Sequence, residues 1–521
     1  MADTKSPHRF DHVVVVMFEN RSFDNLLGYL YEPGEVPGFE GLAGKNLSNP
    51  IPSYARDAEQ GTVPVHPSIR MDTPDPDPGE EHPHTNTQIF GTVIPPENRF
   101  KEVEKMQPPF NAPANPPPPP SMSGFVTDYI NSFRVERRRL PRYEEYAQIM
   151  SCFRPEQMPV LSTLAKEFAC FDHWFCEVPS QTFPNRSFFH AATSSGFVIN
   201  RPVENFPLHN DAETIFERLE AKGLSWRVYF DPLQCVSITG MLHASRLGKY
   251  FGTRFASIED FYRDAAAGTL PAYAFIEPSL IPPHSDMHPP GGARLRRLLF
   301  FLPRPSALKA GDTLLARVYN AVRTSATEAG SNYSNTLLIV TFDEHGGTYD
   351  HVPPPNAPPP DRSAPAGQMG FRFDRSGIRI PTLAISAWID RHTVVQQEHR
   401  STSVIRTLRE RWSLGPPLTQ RDAVAADIAP VLSRTTPRPR EDWPIVEAGP
   451  DPKPPGLWEE LLRPLPTLGR HLFSAALAYE AHKTGTQTSV DLSRTSRWQA
   501  RRRMRKLRAA AFPKATRRRG A

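Results

Sequence analysis

NTLLIVTF, residues 335–342, followed at once by Asp343-Glu344-His345-Gly346-Gly347, is the stretch whose reading decides the fold. A short continuous apolar run, rich in β-branched residues and ended by turn formers, reads as a strand buried on both faces, as in a parallel sheet. The pattern recurs in HVVVVMF from His12, SWRVYF from Ser225, AYAFIE from Ala272 and IPTLAIS from Ile380. Helical spacing lies between some of them. One helix is expected from a cap at Asn210 or Asp211, with Ile215, Phe216 and Leu219 on one face, to a stop at Gly223. Residues 155–168 and 312–323 have similar spacing. Strands alternating with helices predict an α/β fold, a three-layer α/β/α sandwich around a mostly parallel sheet.

Outward from these strands the composition changes. Residues 30–123 carry DTPDPDPGEEHPH and PPFNAPANPPPPPSM, where proline removes donors and enforces extended backbone, so long Pro-rich loops are expected there. Such an insertion could wall a cleft. A catalytic domain is expected over residues 1–445. A linker and an amphipathic helix, LGRHLFSAALAYEAH, follow within 446–493, and a basic, disordered tail over 494–521.

The chain has 521 residues, 39% of them hydrophobic and 22% charged, which excludes wholesale disorder even with 58 prolines. Twelve of its 61 Lys and Arg lie in 494–521, leaving 49 against 56 acids. The body is therefore mildly acidic, and no specific nucleic-acid partner is expected from it. No apolar run is long enough to span a membrane. The opening MADTKSPHRF reads without a signal peptide, so a cytoplasmic location, or one peripheral to the inner membrane face, is expected. Cys152, Cys170, Cys176 and Cys235 lack metal-site spacing and read as buried free thiols.

In open α/β sheets ligands bind beyond the carboxyl ends of the strands. Three runs end there in acids: Glu19-Asn20, Asp343-Glu344 and Glu277. Carboxylates with a carboxamide form a hard, oxygen-rich set suited to a divalent cation (Ca, Mg or Mn, with Zn open) that could neutralise a phosphate. His288 and His351 lie near these acids and could protonate a leaving oxygen. In VPSQTFPNRSFFHAATSSG from Val178, Pro184 suits a first helical turn. Thr182 is thus expected just before a helix N-terminus, as a nucleophile toward phosphorus, with Asn185 and Arg186 as donors to phosphate oxygens. Ser180 or Thr182 acting as a plain N-cap is the alternative.

FENRSFDNLLG, VPSQTFPNRS, FIEP, MHPP and VTFDEHGGTYDHVPPP together resemble the phosphoesterase family of bacterial phosphatidylcholine-type phospholipases C, plant non-specific phospholipases C and a bacterial acid phosphatase, over roughly residues 10–425. The resemblance implies an alkaline-phosphatase-like core and hydrolysis of phosphoric esters. It also implies a metal held by Glu19, Asn20, Asp343 and Glu344, a phosphorylated Thr182, and His288 and His351 flanking the leaving group. Where such sequences have His after Asp-Pro-Gly this chain has Glu80, so His82 or His84 would replace it; Asp350 is a further candidate. Before Thr402-Ser403-Val404, Ser401 stands where His is common. The expected activity is phospholipase C-type cleavage of glycerophospholipids. A phosphomonoesterase, or a noncatalytic protein binding membrane or nucleic acid through its tail, remains open. Residues 494–521, with Trp498, Met504, Leu507 and Phe512 among the cations, suit peripheral contact with an anionic membrane.

Overall fold

The computed structural model describes residues 8–115, 118–231, 234, 236–280, 284–289, 306–449 and 467–484. Eight strands form its central sheet: β1 (His12–Phe18), β2 (Ala169–Phe171), β3 (Trp226–Phe230), β4 (Phe255–Ser257), β5 (Tyr273–Glu277), β6 (Thr336–Phe342), β7 (Thr382–Ile385) and β8 (Thr393–Val395). Their order is β8-β2-β7-β6-β1-β5-β3-β4. All five expected strands are present. The three additional ones, β2, β4 and β8, have three residues each and lie toward the sheet's flanks, too short to leave a periodic signal.

Every residue of β5, β6 and β7 is buried, as is all of β1 beyond His12, so both faces of the sheet are covered. The helices used below are α1 (Phe23–Leu27), α2 (His82–Phe90), α3 (Phe125–Arg137), α4 (Pro159–Glu167), α5 (Thr182–Ala191), α6 (Asn205–His209), α7 (Ile215–Ala221), α8 (Ile238–Leu242), α9 (Ile258–Ala267), α10 (Ala307–Thr324), α11 (Thr402–Trp412) and α12 (Thr467–Thr484). Helices α4, α9 and α10 pack together over the sheet, and α5, α7 and α11 form a second group. This is an α/β architecture around a mostly parallel sheet.

β7 is the exception, antiparallel to both β6 and β2. After β6 the chain stays at the carboxyl end, where Arg379 bonds Asp24 and Asp350, and it enters β7 from that end without crossing over. α7 starts later than expected because Thr214 and Glu217 form its capping box. Asn210 is used elsewhere, donating to Ser187 Oγ and to the Leu242 carbonyl. α10 begins before Asp312, whose carboxylate instead accepts the amides of Val160 and Leu161 at the start of α4.

Residues 30–123 are more than loops. α2 lies within them, and Leu42, Ile51, Val63 and Ile89 join Phe125, Tyr129, Ile130 and Met150 in a second apolar core. α2 escapes a hydrophobic pattern because its sequence, HPHTNTQIF, buries polar side chains. They are satisfied singly: His84 pairs with Asp128, Asn86 donates to the Phe110 carbonyl, and Gln88 donates to Gly79 and Asp128.

α12 packs against α6 and α8. Residues 494–521 and Cys235 lie outside the described residues; Cys152, Cys170 and Cys176 are buried free thiols. Among the described residues no helix is long and apolar enough to cross a membrane.

His243, fully buried, has no hydrogen-bond partner for either ring nitrogen among the described residues, and burial pushes its pKa down to about 3. The unfolded chain takes up this proton near pH 6.5 and the folded chain does not, so stability is full above that pH and falls as pH drops toward 3. His243→Leu is expected to flatten the loss between pH 7 and pH 5 by up to ~1.4 kcal/mol per pH unit, read from urea unfolding. An unchanged pH slope would contradict this.

Candidate active site

Register builds the site. β1 and β6 pair in parallel from His12 with Thr336 to Phe18 with Phe342, so Glu19 and Asp343 leave the sheet side by side. On the other flank Val16 pairs with Ile276, which sets Glu277 level with Met17, below the strand end. Glu277 there accepts Ser237 Oγ and the amides of Ile238 and Thr239, bracing the start of α8. Both of its oxygens are engaged there.

Asn20 adopts φ 57, a left-handed conformation uncommon for a residue with a side chain, and its amide donates to Asp343 Oδ1 at 3.1 Å. The Glu344 amide shares that oxygen at 2.8 Å. Gly346 and Gly347, both at positive φ, do more than turn the chain. A Cβ on Gly346 would stand 2.1 Å from the Asn20 carbonyl oxygen, and one on Gly347 2.5 Å from that of Gly79. Three loops meet here only because both positions lack side chains.

Thr182 is the first residue of α5, with Gln181 at the N-cap, one position on from the expectation. Its hydroxyl donates to Glu19 Oε2 at 3.3 Å. Arg186 follows at i+4 on the same helix face, pairs with Glu19 Oε1 and stands 3.5 Å (Nε) from Asp343 Oδ2. Its Nε and Nη1 have no hydrogen-bond acceptor among the described residues, so donors for phosphate remain. Asn185 is a correction: its carboxamide is used on the backbone of Val178, Ser180 and Gln181, shaping the turn before α5 instead of facing substrate.

The acids are crowded. Burial pushes the Glu19 carboxyl well up, against the pull of Arg186, and Asp343 and Asp286 push it further. Glu344 is raised well above the usual range by burial and then by Glu80 and Asp343. Burial and Asp77 lift Glu80 to about 8. Asn20 Oδ1, Asp343 Oδ2 and Glu344 Oε1 are buried and have no hydrogen-bond donor among the described residues. Oxygens left without donors beside excess negative charge fit a divalent cation with oxygen ligands.

His288 lies at the edge of this cluster. Its Nδ1 bonds the Pro289 carbonyl at 2.7 Å and its Nε2 faces Asp77 Oδ2 at 3.7 Å. His351 is a second correction. It does not join Thr182 and the acids; its Nδ1 pairs with Asp24 at 2.6 Å and its Nε2 with Glu40 at 2.9 Å, beside Lys45 and Arg379. The Gly-Gly turn sends Tyr349-Asp350-His351 over α1, and Asp350 is held there by Arg379 Nε at 2.9 Å. His84 and His82 do not replace the missing imidazole, because they face Asp128 and the Pro179 carbonyl. Glu80 takes that place, bonded to Asn20 Nδ2 and to Gln181 Nε2. Ser401 precedes α11, and His399 stacks on Trp174.

Asp77, Glu80, Gln181 and Asp286 also lie around this cluster, beyond the residues expected from the sequence. The signal for Glu80 was present as an acid straight after Asp-Pro-Gly; nothing local marks the others, which arrive through long-range packing.

A buried hydroxyl at a helix N-terminus, an arginine beside it and a knot of carboxylates at parallel strand ends are groups suited to phosphoryl chemistry. The Phosphoesterase family model matches residues 10–415, and the chain belongs to that family, as a phosphoric ester hydrolase. It is 32% identical over 451 residues to non-specific phospholipase C6 of Arabidopsis thaliana, covering 83% of this chain and 74% of that one. Identity to phospholipase C A of Mycobacterium tuberculosis is 26% over 482 residues, covering 84% and 81%. Among solved structures it resembles an alkaline phosphatase superfamily protein from Vibrio parahaemolyticus, at 15% identity and TM-score 0.29, covering 55% of this chain and 65% of that one.

Proposed function

We propose that this protein is a phospholipase C-type phosphodiesterase with Thr182 as nucleophile. The carrying observation is the Thr182 hydroxyl 3.3 Å from Glu19, a carboxylate shared with Arg186. The Thr182 oxygen attacks phosphorus, its proton passing to solvent water, and the bond from phosphorus to the glycerol oxygen breaks. Arg186 Nε and Nη1 donate to the phosphoryl oxygens. His288 protonates the departing alkoxide; water then attacks phosphorus and breaks its bond to Thr182 Oγ1, so that the phosphorylated headgroup leaves and the threonine hydroxyl is restored. Glu19, Asn20, Asp343 and Glu344 would hold a divalent cation, which when bound supplies charge neutralisation for the phosphoryl oxygens. The twelve cations of 494–521 favour an anionic bilayer surface, which suits a lipid substrate.

The test is a panel of choline-, ethanolamine- and inositol-bearing phospholipids beside simple phosphomonoesters, with and without chelator. Release of diacylglycerol and a phosphorylated headgroup is expected, lost on chelation and restored by Ca, Mg or Mn. Turnover of monoesters alone, or turnover indifferent to chelator, would refute the reading.

A further inference from the structure

Asn20 is the only carboxamide among Glu19, Asn20, Asp343 and Glu344, and it has a right and a wrong way round: Oδ1 can hold a cation and Nδ2 cannot. Its backbone is already fixed. At φ 57 its N–H goes to Asp343 Oδ1 at 3.1 Å, and Gly346 lies so close that a Cβ there would stand 2.1 Å from its carbonyl oxygen. What is left is rotation of the side chain about its last bond, which is roughly two-fold.

Glu80 decides between the two settings. Asn20 Nδ2 donates to Glu80 Oε2, and Oδ1, at the other end of the carboxamide, is buried with no donor among the described residues. Turned over, the carboxamide would set Oδ1 against a carboxylate oxygen. Glu80 is held in turn by an amide whose sense is fixed. The Asn200 backbone N–H donates to Gln181 Oε1 at 3.1 Å, so Gln181 offers Nε2 to Glu80 Oε1, also at 3.1 Å. Both carboxylate oxygens thus accept from N–H groups, which a glutamine, with one acceptor end, cannot reproduce.

We infer that Glu80 is a positioning residue for the cation site: it turns the Asn20 carboxamide so that Oδ1 is presented as the ligand. The inference rests on the reading that Glu19, Asn20, Asp343 and Glu344 hold a divalent cation. Glu80 acts through Asn20, as an outer partner that orients a ligand. It also stands close enough to raise the Glu344 carboxyl, after burial, so orientation has to be separated from the attraction of its charge.

Calorimetric titration of the metal-free protein with manganese reads the site without turnover. Glu80→Gln is expected to raise the Kd by about 10- to 100-fold while the metal-free protein unfolds at the wild-type temperature. In an Asn20→Asp background the two ends of the side chain are equivalent and need no turning. There Glu80→Gln relieves two facing carboxylates and should leave the Kd within about threefold, or lower it, whereas lost charge alone would cost the same factor in both backgrounds. If Asn20→Asp does not fold, Glu80→Met serves instead. It removes the same charge as Glu80→Gln together with both acceptors, so it should bind manganese at least about threefold more weakly than Glu80→Gln.

An unchanged Kd for Glu80→Gln, equal losses in both backgrounds, or equal Kd values for Glu80→Gln and Glu80→Met would overturn the inference and leave the cation reading standing. So would a metal-free Glu80→Gln protein markedly less stable than wild type, which would make the contact a general brace of the fold. A wild-type protein that takes up none of manganese, calcium or magnesium would remove the cation reading and this inference together.

Discussion

Thr182→Val is expected to lower kcat by on the order of 10⁴-fold or more while leaving the fold intact. Valine keeps the β-branched shape of threonine at a buried helix start and puts a methyl where the hydroxyl stood, so neither a cavity nor a lost cap accompanies the change. What disappears is the bond to Glu19 and, on the proposed mechanism, the atom that attacks phosphorus. Arg186 stays paired with Glu19, so the acids keep their neutralising charge. Thr182→Ser, which retains the oxygen, should keep measurable turnover, and a 32P-labelled substrate should leave label on wild type and on Ser but not on Val. Undiminished hydrolysis by Thr182→Val, with thermal unfolding unchanged, would take Thr182 out of the chemistry.

Arg379→Met is expected to cost about 3–5 kcal/mol of folding stability at neutral pH, the largest structural effect of any single change considered. Arg379 is fully buried, gives Nη2 to Asp24 and Nε to Asp350, both at 2.9 Å, and Nη1 to the carbonyls of Glu40 and Asp172. It also lies over the Phe23 ring at 4.6 Å. Methionine fills much of the volume but leaves two buried carboxylates facing each other, joined through the Asp24 amide and Asp350 Oδ2, with His351 as the remaining partner. Burial pushes Asp350 up to about 6 even with Arg379 present. Arg379→Lys should rescue little, because an ammonium cannot span both acids and both carbonyls. Urea unfolding at pH 7.5 decides the matter; a loss under about 1 kcal/mol would show that this network carries little.

His351 shows where reading the chain stops short. It lies seven residues beyond Glu344 in a motif-rich segment, and proximity in sequence places it near the acids. Two glycines at positive φ turn the chain in between, and Arg379, 28 residues further on, draws Asp350 and His351 toward α1. A turn direction set by a distant cation leaves no mark on the local pattern. Asn185 fails for a related reason: its donor inventory suits phosphate, but the tight Val178–Gln181 turn before α5 has unpaired backbone groups nearer to hand.

The sequence by itself determined the strands of the centre of the sheet, their burial and the acids at their ends. Runs such as HVVVVMF and NTLLIVTF have one low-energy use, and a polar residue that ends them must emerge at the rim. It also determined that a helix begins beside Thr182, through Pro184. Tertiary structure alone decided which rim residues meet. Parallel register set Glu19 against Asp343 and withheld Glu277, and α2, a helix of buried polar residues, carried Glu80 and its loop to a place where an imidazole was expected. The physical reason is one of range: hydrophobic periodicity is a property of neighbours along the chain, whereas the pairing of buried charges depends on which segments fold to the same place.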